Sequence, residues 1–229
     1  MRVGRLWFLA LLAMASAAPA QARKQYGSGD PIVVEPQTAY IFYRTNISGA
    51  NIRFLREYGA GEAPGTVRGD DPMSEPDHWV QVTGGPRLTG GGREGKTYLK
   101  AVRPGSYILY GNIGIGLNGA HIGVCFCMGS LRFEAPAGQI VDLGLIQYPD
   151  ASVVKRPWGV TIFPVAPDMV VPARLTGLPR IAAEFRAGPK MPNWFGVEID
   201  RHDAMPGVLA YDRDIPIDVR AGRPAAPAR

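Results

Sequence analysis

Apolar and polar residues alternate along much of this chain with a period of two. In AYIFYRT, Ala39, Ile41 and Tyr43 fall on one side and Tyr40, Phe42 and Arg44 on the other, as a pleated strand requires. NIRFLREY follows after the short link NISGA, and the two segments predict a hairpin. Further apolar runs, HWVQVTG, KTYLKAV, SYILYG, HIGVCFC, LRFEA, QIVDLGLI and WGVTIFPV, recur at a spacing of about ten residues with turn signals between them. That rhythm predicts a sandwich or barrel rather than a parallel sheet with crossover helices. No stretch sustains a helical period; RLTGLPRIAAEFRAG comes closest and is interrupted by Gly177 and Pro179.

The expected fold class is therefore all-β: an antiparallel β-sandwich over residues 39–166, with a polar leader at 23–38. Residues 167–218 read as an irregular Pro/Gly-rich extension packed along the sandwich, with an edge strand at FGVEID, and residues 219–229 as a disordered tail. Residues 59–77 lack both periodicity and apolar content, which makes them a long surface loop. The 29 glycines and 21 prolines fit short strands joined by tight turns.

The first residues, MRVGRLWFLALLAMASAAPAQA, have the layout of a secretory signal peptide: Arg2 and Arg5, an apolar run, and the triplet Ala20, Gln21, Ala22. Residues 1–22 are set aside on that ground, and the apolar run is too short to span a bilayer. The expected location is the periplasm or the exterior of a bacterial cell, with no transmembrane segment in the mature chain. The sequon at Asn46 matters only for a eukaryotic secretory route. Formal net charge is +5, and removing Arg2 and Arg5 leaves +3, scattered along the chain, which does not suit nucleic acid.

Two motifs invite chemistry. GGGREGKT, from Gly90 to Thr97, matches the phosphate-cradling loop of nucleotide-binding proteins. That mechanism needs a helix after the loop, and the β-like YLKAVRPG follows, so a glycine-rich hairpin turn is expected and no nucleotide. VCFCMGS holds the only two cysteines, Cys125 and Cys127. On an unbroken strand they share a face with Leu131 and Phe133, which favours buried core thiols. A Cys-x-Cys disulfide demands a kinked backbone, and an oxidising compartment keeps it in view. A copper(I) site would gather Cys125, Cys127, Met128 and His121, and a strand would have to bend to do so.

Other candidates are weaker. Asp200, His202 and Asp203 could seed an acid–base or metal site, but a polar loop linked to Arg201 is the favoured reading. Asp212, Asp214 and Asp218 lack the glycine and glutamate of a calcium loop and read as a charged edge. Trp79, Trp158, Trp194 and Phe195 could form a glycan or peptide platform if exposed, although core packing is the commoner fate of such residues.

VRPGSYILYG and FEAPAGQIVDLG resemble a pattern in exported bacterial modules of the prealbumin-like, carboxypeptidase-regulatory-like and PEGA types. A Pro-Gly turn (Pro104, Gly105) leads into a Tyr-containing strand and an Ala-Gly turn (Ala137, Gly138) into another, both expected as hairpin-type turns, with Tyr107, Leu109, Ile140 and Leu143 filling the sheet. The sequence is also similar to exported proteins that combine this core with a CxCMG strand. The resemblance covers residues 39–145 and implies an adhesive or accessory domain, with no catalytic residue and no cofactor to carry over. The expected function is a non-catalytic envelope module that binds a protein or glycan through a sheet edge or the loops at 59–77 and 111–123. A copper-binding protein and an envelope enzyme are the alternatives.

Overall fold

Apolar residues occupy both faces of AYIFYRT, so the segment can be buried from two sides. The computed structural model describes residues 24–45, 52–57, 79–82, 85–89, 95–115, 121–126, 130–147, 161–163, 165–188, 200–201, 217–218 and 223–224. In it this segment forms β1 (Ala39–Thr45), with every residue buried. The chain continues through β2 (Ile52–Arg56), β3 (Trp79–Val82), β4 (Lys96–Val102), β5 (Gly105–Ile115), β6 (His121–Cys125), β7 (Leu131–Ala135) and β8 (Ile140–Gln147). β9 (Thr161–Phe163) and a 3-10 turn at Ala173–Leu175 follow. Short strands complete it: β10 (Arg180–Ala182), β11 (Arg186–Ala187), β12 (Asp200–Arg201), β13 (Ile217–Asp218) and β14 (Arg223–Pro224).

The described residues are thus mostly strand, and the fold is all-β, in two main sheets. The first sheet runs β10-β8-β1-β4 with β9 also on β8; the second runs β11-β7-β5-β2-β3, with β6 on β5 and β12 on β6. β13 and β14 pair with each other. No helix among the described residues is long and apolar enough to cross a membrane.

Several pairings differ from the alternation-based expectation. β1 and β2 do not form a hairpin: β1 pairs with β4 and β8, β2 with β3 and β5, so the link between them joins different sheets. The Pro104-Gly105 and Ala137-Gly138 turns likewise connect strands of different sheets. Nor is the pairing wholly antiparallel, because β8 runs parallel to β1 and to β10, and β12 parallel to β6. Residues 111–123 are not a loop, since β5 continues to Ile115 and β6 begins at His121, the two pairing antiparallel. Nor is there one strand from Val124 to Ala135; β6 and β7 pair with successive parts of β5. Of FGVEID only Asp200 is described, in β12.

A cluster drawn from both sheets fills the space between them. Ala39, Ile41 and Tyr43 of β1 meet Phe54 of β2, Tyr107 and Leu109 of β5 and Phe133 of β7. Phe133 stacks on Tyr107 at 5.9 Å and takes Phe54 and Phe185 edge-on at 5.8 and 6.2 Å. The Tyr107 hydroxyl donates to the Arg103 carbonyl at 2.6 Å, tying the start of β5 to the turn that crosses between the sheets. The opposite face of β1 carries Tyr40 and Phe42 into a second cluster with Tyr26, Leu88, Leu99 and Leu175. The leader therefore packs: Tyr26 N–H donates to the Leu99 carbonyl and Ala101 N–H to the Lys24 carbonyl, so residues 24–26 run beside β4. Arg174 donates to the Gly27 and Ser28 carbonyls and locks the leader to the 3-10 turn.

The buried tyrosines make the fold sensitive to alkali. Tyr43 stacks on Tyr98 at 5.4 Å, and burial pushes both phenols above their ordinary value near 10, Tyr43 the further. Burial, then the neighbouring Tyr40, pushes Tyr26 up to about 12. Above pH 10 the unfolded chain ionises phenols that the folded chain keeps protonated, so this contribution is whole below pH 10 and is lost as pH rises past it. Urea midpoints taken between about pH 8 and pH 12 should hold level and then fall, and Tyr43→Phe should remove part of that fall.

Candidate functional site

QIVDLGLI places one carboxylate inside an otherwise apolar strand. Asp142 of β8 is fully buried, and a buried carboxylate must be paired and hydrogen-bonded. Oδ1 accepts from Arg44 Nη1 at 2.8 Å and from Gly144 N–H at 2.9 Å; Oδ2 accepts from Arg180 Nη1 at 2.6 Å and Arg44 Nη2 at 3.3 Å. Gly144 (φ +80°) sits where the β1–β8 register shifts: Phe42 lies opposite Asp142 but Arg44 opposite Leu145. The extra residue on β8 is a bulge that turns the Gly144 N–H onto Asp142, a conformation that glycine adopts without strain. Arg44 also stacks over the Phe42 ring at 4.7 Å and donates from Nε to the Val170 carbonyl at 3.1 Å. With four donors on two oxygens, the carboxylate has no lone pair directed at a substrate or metal. The cluster is a clamp that joins β1, β8, β10 and residue 170.

The residues singled out in the sequence separate in space. Cys125 is buried at the end of β6 and disulfide-bonded, and Cys127 is the only other cysteine in the chain. The core-thiol expectation is thereby corrected in oxidation state and in facing. Ile52, a core residue, lies opposite Asn112, which lies opposite Val124; Cys125 pairs with Gly111 and so faces away from the inter-sheet core. Phe126 takes the core position instead. A disulfide sulfur carries no thiolate charge, so Cys125 in this state is no copper ligand. His121 starts β6 opposite Ile115, while Cys127 and Met128 lie outside the described residues.

Asp200 lies in β12 opposite Val124; His202 and Asp203 fall outside the described residues. Asp218 pairs with Arg223 across β13 and β14, with Asp212 and Asp214 outside. Trp79 begins β3 opposite Leu55; Trp158, Trp194, Phe195 and the loop at 59–77 are outside. No three His, Cys, Asp or Glu side chains among the described residues gather at metal-holding distance. After the glycine stretch, Lys96 and Thr97 open strand β4, where a phosphate loop would open a helix, and Thr97 bridges Thr89 antiparallel.

A groove that the sequence did not announce lies where the chain passes from β10 in the first sheet to β11 in the second. It has a volume of about 510 Å³ and is lined by Arg132, Phe133, Glu134 and Pro136 on one side and Ile181, Ala182, Glu184 and Arg186 on the other. Ile181 lies opposite Val141, a core residue, and so belongs to the inter-sheet face, yet it is 41% exposed. Among the described residues β10 pairs only with β8, and β11 covers only Leu131 and Arg132 of β7. Ile140 N–H donates to the Pro179 carbonyl and Ala183 N–H to the Asp142 carbonyl. By alternation, Arg180 and Ala182 direct their own N–H and C=O groups away from β8, along an open edge. Charges rim it: Arg186 pairs with Glu184 at 2.5 Å and Arg132 with Glu57 at 3.5 Å.

Comparison with protein-family models, curated proteins and solved structures gives no match. The site is therefore read from its own geometry. Its walls come from segments about fifty residues apart in sequence, so no local motif could reveal it.

Two outcomes follow from this geometry. Asp142→Asn leaves Arg44 buried without its counter-charge and should lower unfolding free energy by about 3–5 kcal/mol in urea titration. Unfolded without reductant, the protein should take up no iodoacetamide, and two alkylated thiols should appear in the mass spectrum only after reduction. Alkylation without reductant would show the two cysteines to be free thiols.

Proposed function

We propose that this chain is an exported, non-catalytic β-sandwich module, its Pro/Gly-rich extension packed on the sandwich, that binds an envelope partner by strand addition. The observation that carries the reading is the β10 edge, open among the described residues, beside a groove with an apolar floor. An added strand gains main-chain hydrogen bonds from Arg180 and Ala182 and places alternate side chains toward Ile181 and Phe133. Core residues drawn from both sheets support the sandwich, and Phe185 and Ala187, buried in that core, support the packing of the extension. The signal-peptide layout of residues 1–22 supports export. Against an acid–base role at Asp142, the one fully buried carboxylate among the described residues, both its oxygens are saturated by donors.

Proteins retained from envelope extract by the mature wild-type chain should be lost with Ala182→Pro, which removes an edge N–H, and with Ile181→Glu, while both variants melt as the wild type does. Equal retention by all three would remove the β10 edge from consideration.

A further inference from the structure

We infer that the segment accepted by the β10 groove is an extended peptide carrying Lys or Arg at the positions that face into it. This rests on the strand-addition reading and adds the chemistry of the occupant. A strand laid along β10 continues the first sheet, so every second side chain enters the space between that edge and β7. There it meets Ile181, the edge of Phe133 and Pro136, and, around the edge of β7 where alternation turns it outward, Glu134. Among the described residues each charged side chain lining the groove but one has an ion partner, Arg186 with Glu184 and Arg132 with Glu57, while Arg180 behind the edge shares Asp142 with Arg44. Glu134 is exposed and has no cationic partner among the described residues. A long cationic side chain satisfies both parts of the groove at once, its methylene stem on the apolar floor and its head at Glu134. A short apolar side chain fills only the floor, and an acidic one meets Glu134 as a like charge.

Three synthetic peptides distinguish these cases: alternating Lys-Thr, Leu-Thr and Glu-Thr sequences, labelled and titrated with the mature protein at low salt by fluorescence anisotropy. Lys-Thr should bind at least about fivefold more tightly than Glu-Thr, the difference shrinking as salt rises. Glu134→Lys should reverse that order, and Glu134→Gln should abolish it. N-methylation of alternate Lys-Thr amides should weaken binding in one phase of the alternation and not the other, because only one set of N–H groups faces β10. An unchanged Lys preference in Glu134→Lys, with the N-methyl effect present, overturns the cationic occupant and leaves strand addition standing. Binding indifferent to N-methylation in both phases overturns strand addition and with it this inference. Absence of Lys-Thr binding, or tighter binding of Leu-Thr, also overturns it.

Discussion

A carboxylate removed from water inside a β-sheet has to be neutralised where it sits. Asp142 meets that demand with two guanidiniums and a backbone N–H, and each partner comes from a different part of the chain. Arg44 belongs to the central strand β1, Arg180 to the short edge strand β10, and Gly144 to the bulge that follows. The ion cluster thus specifies which segments meet. Hydrophobic burial alone would accept several registers of β10 on β8, whereas the charged contact from Arg180 Nη1 to Asp142 Oδ2 favours the one that brings the two together. Replacing the whole cluster by apolar residues need not destabilise the fold; removing one member leaves an unmatched buried charge.

That constraint links packing to the candidate site. β1 is apolar on both faces, so the first sheet needs a cover on each. On one side stands the second sheet; on the other lie residues 24–38 and the segment around the 3-10 turn, interlocked by Arg174 and by the Arg44 contact to residue 170. From there the chain is delivered to β10, whose outer edge remains open among the described residues, and then crosses to β11. The groove is a by-product of that crossing. Its apolar floor is the rim of the inter-sheet core, and its polar rim comes from β7 and residues 184–186.

Much of the strand inventory was legible from alternation, because β1, β4, β7 and β8 each carry enough apolar residues to declare themselves. Pairing was not. Nothing local distinguishes a turn that closes a hairpin from one that crosses between sheets, and NISGA, Pro104-Gly105 and Ala137-Gly138 all do the latter. The Gly144 bulge shifts parity so that Ile146, not Leu145, joins Val141 and Leu143 in the core. A break after β6 has the same effect near the cysteines and gives the core position to Phe126. Both shifts carry one lesson: period-two reasoning holds only while the register is unbroken. The ion cluster was hidden differently, since its members are scattered through the sequence and each reads alone as a surface charge.

The account stands on the claim that the Asp142 cluster holds β10 in place. Native-state hydrogen exchange at the Ala183 amide, which donates to the Asp142 carbonyl at 2.9 Å, tests it in the wild type and in Arg180→Leu. The prediction is exchange faster by at least about tenfold at Ala183 in the variant, with the Leu99 and Ala101 amides of β4 unchanged. Equal protection of Ala183 in both proteins would show that β10 is held by its backbone pairing alone, and the clamp would lose its place at the centre of the fold.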